Sequence, residues 1–394
     1  MDFDRLICDR ARAIDASGIR RVFDLGARLK DPINLSIGQP DFPAPDAIKE
    51  AAIRAIREDR NGYSVTQGVP ALLDRVIRHL KFDLGWSAGP DTRTGALVTS
   101  GTTGSLLSLA LAMLGKGDEL IIPDPYFVMY SHLATMCDAT PVYCDTYPDL
   151  RLTAERVEPL ITDRTKAILF NSPSNPAGVV ASRDECRDLL DLCRRKGVLL
   201  ISDEIYDEFT YAESMTDSAA GDDSAPRCPS PCRFEGAEDC TLLVRGFGKT
   251  FGVTGWRMGY AAGPKPIIEQ MAKFQQYTYV CAPQPLQWGC VEAFDVDMAG
   301  PVADYQARRD LVVERLSAVT EVSTPGGAFY AFPRVPERLG LTGTEFVERC
   351  IERSVLVIPG AVFSRADTHF RLSYATKRDQ LERGLDVIVE LMGG

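Results

Sequence analysis

Hydrophobic and polar positions follow two rhythms along the chain. From about residue 96, short apolar runs recur: ALVTS (96–100), DELII (118–122), PVYCD (141–145), KAILF (166–170) and VLLIS (198–202). Each has the length of a strand. The last is almost wholly apolar, as a strand covered on both faces should be. Helical stretches separate these runs, beginning with a buried helix predicted over SLLSLALAML (105–114). Over 183–196, Cys186, Leu189, Leu190 and Cys193 share one helical face. Ser182, with Glu185 three residues on, predicts the capping box that starts this helix. Strands alternating with helices predict an α/β domain built on a mainly parallel sheet.

After residue 264 the rhythm changes. A helix over PKPIIEQMAKFQQ leads into a long helical region around 285–318. The tail mixes strands (GAFYAFP, VLVIP, HFRLSYA) with helices over 344–353 and 378–392. This predicts a smaller α+β domain, completed by the N-terminal segment. That segment reads as a helix followed by INLSIGQPDFPAP (33–45), a proline-punctuated crossing between domains. A helix is predicted from Pro45 to Glu58. The expected division is 1–45, 46–284 for the large domain and 285–394 for the small one. Residues 212–240, rich in Ser, Asp, Pro and Gly, break the pattern and read as a long exposed surface loop. Its Cys228, Cys232 and Cys240 have no histidine nearby, which argues against a structural metal.

Charge and cysteine usage narrow the class. A net charge of −11 argues against nucleic-acid binding, which needs a basic face, yet permits a locally positive pocket. The charged N-terminus has no apolar signal region, and no run approaches the roughly 18 apolar residues of a membrane span. Eleven scattered cysteines fit reduced thiols and a cytoplasmic setting. His79, His132 and His369 are not at ligand spacing from one another.

Candidate chemistry centres on RGFGKTFGVTGWRMGY (245–260). Lys249 sits on a small-residue turn between strand-like runs at 241–244 and 256–261, a place suited to a covalently held cofactor. The run resembles a Walker ending, but Leu243 stands where its first glycine belongs. In TSGTTGS (99–105), small residues between a strand and a helix would let backbone N–H groups reach a phosphate, or form only a tight connection. The aromatic pair of DPYF (124–127) could stack on a planar ring or fill the core. NSPSNPAG (171–178) reads as a rigid polar loop at a strand end. Asp203 in SDEIYDE ends an apolar strand, where a buried carboxylate needs a cation or several donors. Arg257 offers a planar fork for phosphate or carboxylate. Arg371, inside the apolar strand HFRLSYA, wants an anion, from a ligand or an internal salt bridge.

In this order and combination, the motifs resemble the class I/II aminotransferases of pyridoxal 5′-phosphate (PLP) fold type I, over essentially the whole chain. The resemblance implies a three-layer α/β/α large domain plus a smaller α+β domain, and PLP bound to Lys249 as a Schiff base. It implies that Gly101, Thr102, Thr103 and Arg257 hold the cofactor phosphate and that Phe127 stacks on its ring. Asn175 and Tyr206 would donate to the phenolic oxygen and Asp203 would face the ring nitrogen. Gly38 would lie beside the substrate carboxylate, which Arg371 clamps. Tyr63 would reach the phosphate of a neighbouring subunit, which makes a homodimer the expected assembly. The implied substrates are an L-amino acid and a 2-oxo acid such as 2-oxoglutarate. Two departures stand out. Gly246 and Gly248 occupy positions where many relatives carry serine, and the stretch between Asp203 and Lys249 is long. A C–S β-lyase of the same fold is the alternative, disfavoured by GWRMGY. A PLP-sensing regulatory module is a further one, though the chain has no basic region for DNA. Tyr126, Phe329 and Tyr330 are candidates for lining a side-chain pocket.

Overall fold

The structure is a computed structural model that describes residues 1, 3–16, 18, 19, 22, 26 and 29–393. Seven strands form its central sheet: β1 (Thr94–Ser100), β2 (Glu119–Asp124), β3 (Thr140–Asp145), β4 (Thr165–Asn171), β5 (Leu199–Asp203), β6 (Thr241–Gly246) and β7 (Met258–Pro264). Their spatial order is β1-β7-β6-β5-β4-β2-β3. Strands β2 to β6 pair in parallel, whereas β7 lies antiparallel between β1 and β6. Strand β1 therefore runs in the direction of β6, and every strand except β7 ends at the same edge.

The period-2 geometry of a strand sends neighbouring apolar residues to opposite faces. Val98, Ile121, Ile168, Leu200 and Leu243 form one core with the helices Asp46–Arg57, Pro70–Leu84, Arg183–Lys196 and Gln284–Ala293. Leu97, Ile122, Leu169, Ile201 and Val244 form another with Gly101–Met113, Met129–Met136 and Lys265–Thr278. Burial on both faces is why the strands read as near-continuous apolar runs. The predicted capping box is present: Ser182 Oγ accepts from Glu185 N–H, and the Glu185 carboxylate accepts from Ser182 N–H. Cys186, Leu189, Leu190 and Cys193 are all fully buried.

A separate core gathers Leu35, Tyr305, Val312, Phe329, Phe346, Phe370 and Leu385. Beside it lies a three-stranded sheet of Tyr330–Ala331, Phe370–Ser373 and Ile358–Pro359. The crossing segment is tied in as well, because Ile33–Asn34 pairs in parallel with Val355–Leu356. Among the described residues, no helix is long and apolar enough to cross a membrane.

Several expectations need correction. The helical region around 285–318 is two helices, Gln284–Ala293 and Ala299–Ser317. The first buries Cys290 and Ala293 in the sheet's core; the second buries Tyr305, Val312 and Leu316 in the other. The cores therefore part between the two helices, not before the first. Among the described residues, the N-terminal segment is helical at the single turns Asp4–Leu6 and Asp9–Arg12 and at 18, 19, 22 and 26. Residues 2, 17, 20, 21, 23–25, 27 and 28 of that expectation lie outside the described residues.

The reading of 212–240 as an exposed loop fails most clearly. Asp217–Ala219 and Asp222–Arg227 form an antiparallel hairpin, and Cys228 and Cys232 are buried. Ser230 Oγ donates to Glu204 Oε1 at 2.6 Å, and Arg233 pairs with Asp83 at 3.0 Å. Polar composition signals exposure only when the polar groups face water. Here Asp217, Ser230 and Arg233 answer buried partners, while Glu213, Thr216 and Asp239 stay exposed.

Candidate active site

The common edge where six strands end collects the polar residues that the sequence singled out, as ligand crevices of open α/β sheets do. After β1 comes Gly101, the first residue of the helix Gly101–Met113. Past β2 lies Phe127. Strand β4 ends at Asn171, four residues before Asn175; β5 ends at Asp203, three before Tyr206. Following β6, the single helical turn Phe247–Thr250 carries Lys249, where an open turn between strands was expected. A second short turn, Thr254–Trp256, delays β7 to Met258 and leaves Arg257 in a left-handed conformation with φ of 55°. A cavity of about 400 Å³ opens here. Lined by Gly38, Gly101, Thr102, Thr103, Phe127, Asn175, Asp203, Tyr206, Lys249, Arg257 and Arg371, it unites the predicted site residues except Tyr63. Tyr63 stands apart and is 84% exposed.

Asp203 is buried, and its carboxylate accepts from Tyr130 Oη–H at 2.8 Å and Ile205 N–H at 3.3 Å. Burial pushes its pKa up to about 6, while the Tyr130 hydroxyl works the other way. No cation in a salt bridge meets this carboxylate among the described residues, so its chemistry suits a positively charged ligand group. Its neighbour Glu204 turns to the opposite face, where it pairs with Arg245 at 2.8 Å. That alternation rules out a shared acidic pair.

Lys249 Nζ donates to the Gly38 carbonyl and lies 5.8 Å from the centre of the Tyr206 ring. Burial, with help from Arg371 and Arg257, pushes its pKa down to about 7. A lysine so placed holds a sizeable neutral fraction near pH 7, the form that acts as nucleophile or base.

Anion binding is built in at the start of the helix Gly101–Met113. Gly101 has φ of +69°, and a Cβ there would lie 2.7 Å from Arg257 Nη2. Its bare backbone thus lets the guanidinium approach the helix N-terminus. Arg257 Nη2 donates to Thr103 Oγ1 at 3.4 Å. Free N–H groups, a hydroxyl and a guanidinium converge, a donor set matched to a phosphate.

Arg371 is 1% exposed. Its Nη1 donates to Asn175 Oδ1 at 3.0 Å and its Nη2 to the Ser36 carbonyl at 2.9 Å, while Nε has no partner. No carboxylate pairs with it among the described residues, which leaves the internal salt bridge without support. The contact with Oδ1 also orients the Asn175 amide, so that its NH₂ is available as a donor.

Two groups escaped the sequence reading. Tyr330 was noted only as a side-chain-pocket candidate, yet its hydroxyl sits 3.0 Å from that of Tyr206. Phe329 belongs to the separate core with Leu35 and Tyr305, and Tyr126 packs on Tyr143 instead. Arg245 is 3% exposed and binds Asp83, Glu204 and Asp207 at 2.8, 2.8 and 2.9 Å. A charge inside the apolar strand TLLVRG was the available signal for this cluster.

Comparison with known proteins bears on what this geometry serves. The family model described as aminotransferase class I and II matches residues 30–388. The chain is 35% identical to an aspartate aminotransferase of Pyrococcus abyssi over 388 residues, covering 96% of each. It is 33% identical to an aromatic-amino-acid aminotransferase of Thermococcus litoralis over 390 residues, again covering 96% of each. Among solved structures, aspartate aminotransferase from Thermus thermophilus with maleate superposes with a TM-score of 0.88 at 32% identity, covering 98% of this chain and 99% of that one. A match spanning nearly the whole chain decides the matter: the protein belongs to the class I and II aminotransferases, with the fold type I architecture and the PLP dependence of that family.

Proposed function

We propose that the protein moves an amino group from an L-amino acid to a 2-oxo acid, with 2-oxoglutarate as the acceptor, and that Lys249 carries the PLP as a Schiff base. The observation that supports this most is the convergence of Lys249 and Arg257, Asp203, and Arg371, from three separate segments, on one cavity. Bound there, PLP supplies an electron-accepting ring. The protein's residues do the rest. Arg257, Thr103 and the N–H groups of Gly101 and Thr102 would hold the phosphate. Phe127 would stack against the ring. Asp203, oriented by Tyr130, would keep a proton on the ring nitrogen, and a carboxylate with hydrogen bonds but no salt-bridge partner among the described residues fits that cation. Asn175 and Tyr206 would donate to the phenolic oxygen.

At the substrate end, Arg371 would clamp the α-carboxylate with Gly38 alongside, fixing which bond at Cα is aligned for cleavage. Lys249, as a free amine, would take the proton from Cα. A positioned base of this kind contributes about 10²–10⁴-fold. We place the protein in the cytoplasm as a homodimer in which the exposed Tyr63 reaches the partner's phosphate site. Its domains divide between the helices Gln284–Ala293 and Ala299–Ser317, with the N-terminal crossing segment in the smaller one.

Incubation of the purified protein with PLP, a panel of L-amino acids and 2-oxoglutarate tests the reaction. Glutamate and the matching 2-oxo acid should appear in equal amounts. Release of pyruvate and ammonia from a cysteine conjugate without any acceptor, and no glutamate, would assign the C–S lyase reaction instead.

A further inference from the structure

Tyr330 lies where the two ends of the cavity meet. It sits on the short strand Tyr330–Ala331, whose partner strand places Ser373 opposite it. Arg371 is two residues from Ser373 and so shares its face of the sheet, as a diagonal neighbour of Tyr330. The Arg371 guanidinium accordingly lies over the Tyr330 ring, 4.5 Å from its centre, with the Phe363 ring 4.6 Å away. The Tyr330 hydroxyl lies 3.0 Å from Tyr206 Oη. It also packs on Gly38, where a Cβ would come within 2.7 Å of it. Tyr330 is 1% exposed and Tyr206 2%.

Proton counting gives this contact a direction. Each hydroxyl has one proton to donate. Two buried hydroxyls 3.0 Å apart share one hydrogen bond, so one donates and the other is left with a free proton. If Tyr206 donates to the phenolic oxygen of PLP, as proposed above, then the proton between the tyrosines comes from Tyr330. A hydroxyl that accepts a hydrogen bond becomes a better donor.

We infer that Tyr330 is a positioning residue with two functions: its hydroxyl donates to Tyr206 and so commits the Tyr206 proton to the cofactor, and its ring is the platform that holds the Arg371 guanidinium ready for a carboxylate. This inference rests on the proposed role of Tyr206. It makes separable claims, because phenylalanine removes the hydroxyl and keeps the platform, whereas leucine removes both.

The test compares Tyr206→Phe, Tyr330→Phe and Tyr330→Leu as PLP-loaded proteins. The first readout is the pH midpoint of the visible absorbance without substrate. A phenolic oxygen that loses hydrogen bonding keeps more negative charge and holds the nearby proton of the Lys249 linkage more tightly, so the midpoint rises. Tyr206→Phe should raise it by about one pH unit, and Tyr330→Phe by about half a unit, the scale of a lost and a weakened hydrogen bond. The second readout is KM for the amino acid. Tyr330→Phe should leave it within about twofold, and Tyr330→Leu should raise it about tenfold, the scale of a lost cation–π contact. If Tyr206→Phe moves the midpoint and Tyr330→Phe does not, the inference falls while the role of Tyr206 stands. Should neither move it, the reading of Tyr206 falls first. A wild-type KM in Tyr330→Leu would overturn the platform claim.

Discussion

Replacing Arg371 with leucine removes a buried guanidinium that lines the cavity and that we propose clamps the substrate carboxylate. The wild-type side chain spends one N–H on Asn175 Oδ1 and one on the Ser36 carbonyl. A guanidinium carries five, so three remain, including the partnerless Nε–H. Two of these can meet a carboxylate in the parallel fork geometry. At about 1.5–3 kcal/mol for each hydrogen bond to a charged group, the pair is worth about 3–6 kcal/mol. That corresponds to about 10²–10⁴-fold in kcat/KM. The flanking rings of Tyr330 and Phe363 already immobilise the guanidinium, so little ordering cost offsets this gain. Leucine also strands two acceptors, and some loss of stability is expected. The assay therefore compares each variant with itself: kcat/KM for an amino acid against that for the amine with the same side chain and no carboxylate. In wild type the carboxylate should be strongly preferred. In Arg371→Leu the preference should shrink by about 10²-fold or more, with PLP affinity within about threefold of wild type. A preference unchanged within threefold would refute the assigned role.

Other perturbations probe other parts of the site. Arg245→Met should cost about 3–5 kcal/mol of stability in chemical denaturation, because it leaves Asp83, Glu204 and Asp207 buried without their shared cation; a loss under 1 kcal/mol would mean the cluster is already balanced by Arg227 and Arg233. Gly246→Ser should weaken PLP binding, since its Cβ would meet Ile205 Cδ1 at 2.8 Å and Thr102 Cγ2 at 3.0 Å. Pairing it with Thr102→Ser, which removes that methyl, should restore affinity; equal affinities in all three proteins would dismiss the clash. Lys249 has its pKa depressed to about 7 in the folded protein, so the unfolded chain binds the extra proton above that pH and stability rises toward the ordinary lysine value near 10.5. Cofactor-free Lys249→Met should therefore be more stable than cofactor-free wild type at pH 7, with the gap closing by about pH 10. Parallel stability curves across that range would contradict the depressed pKa.

Legibility in the sequence followed the physics of each region. The sheet was readable because its strands are covered on both faces, which writes burial directly into apolar runs such as VLLIS. The helix Arg183–Lys196 was readable because Ser182, Glu185 and its apolar face agree. Asp203 and Arg371 were conspicuous as single charges in apolar strands, and both are buried. The Arg245 cluster carried the same local signal, but its partners Asp83, Glu204 and Asp207 are scattered in sequence and meet only in the fold. Residues 212–240 misled for a related reason: a segment in which Asp217, Ser230 and Arg233 answer other buried polar groups has the composition of a loop. Tyr330 was visible only as one aromatic residue in GAFYAFP. Its importance depends on the pairing with Ser373, a register that periodicity does not reveal. The long helical region hid a break because its two helices bury residues in different cores, which periodicity does not reveal.

The central claim is that Lys249 carries the cofactor and serves the transfer. Borohydride reduction of the PLP-loaded protein, followed by protease digestion and mass spectrometry, tests it most directly. The account predicts one phosphopyridoxyl group per chain, on the peptide containing Lys249, and no modification at that site once an amino acid substrate has been added before reduction. Stoichiometric label on a different lysine, with Lys249 unmodified, would contradict it.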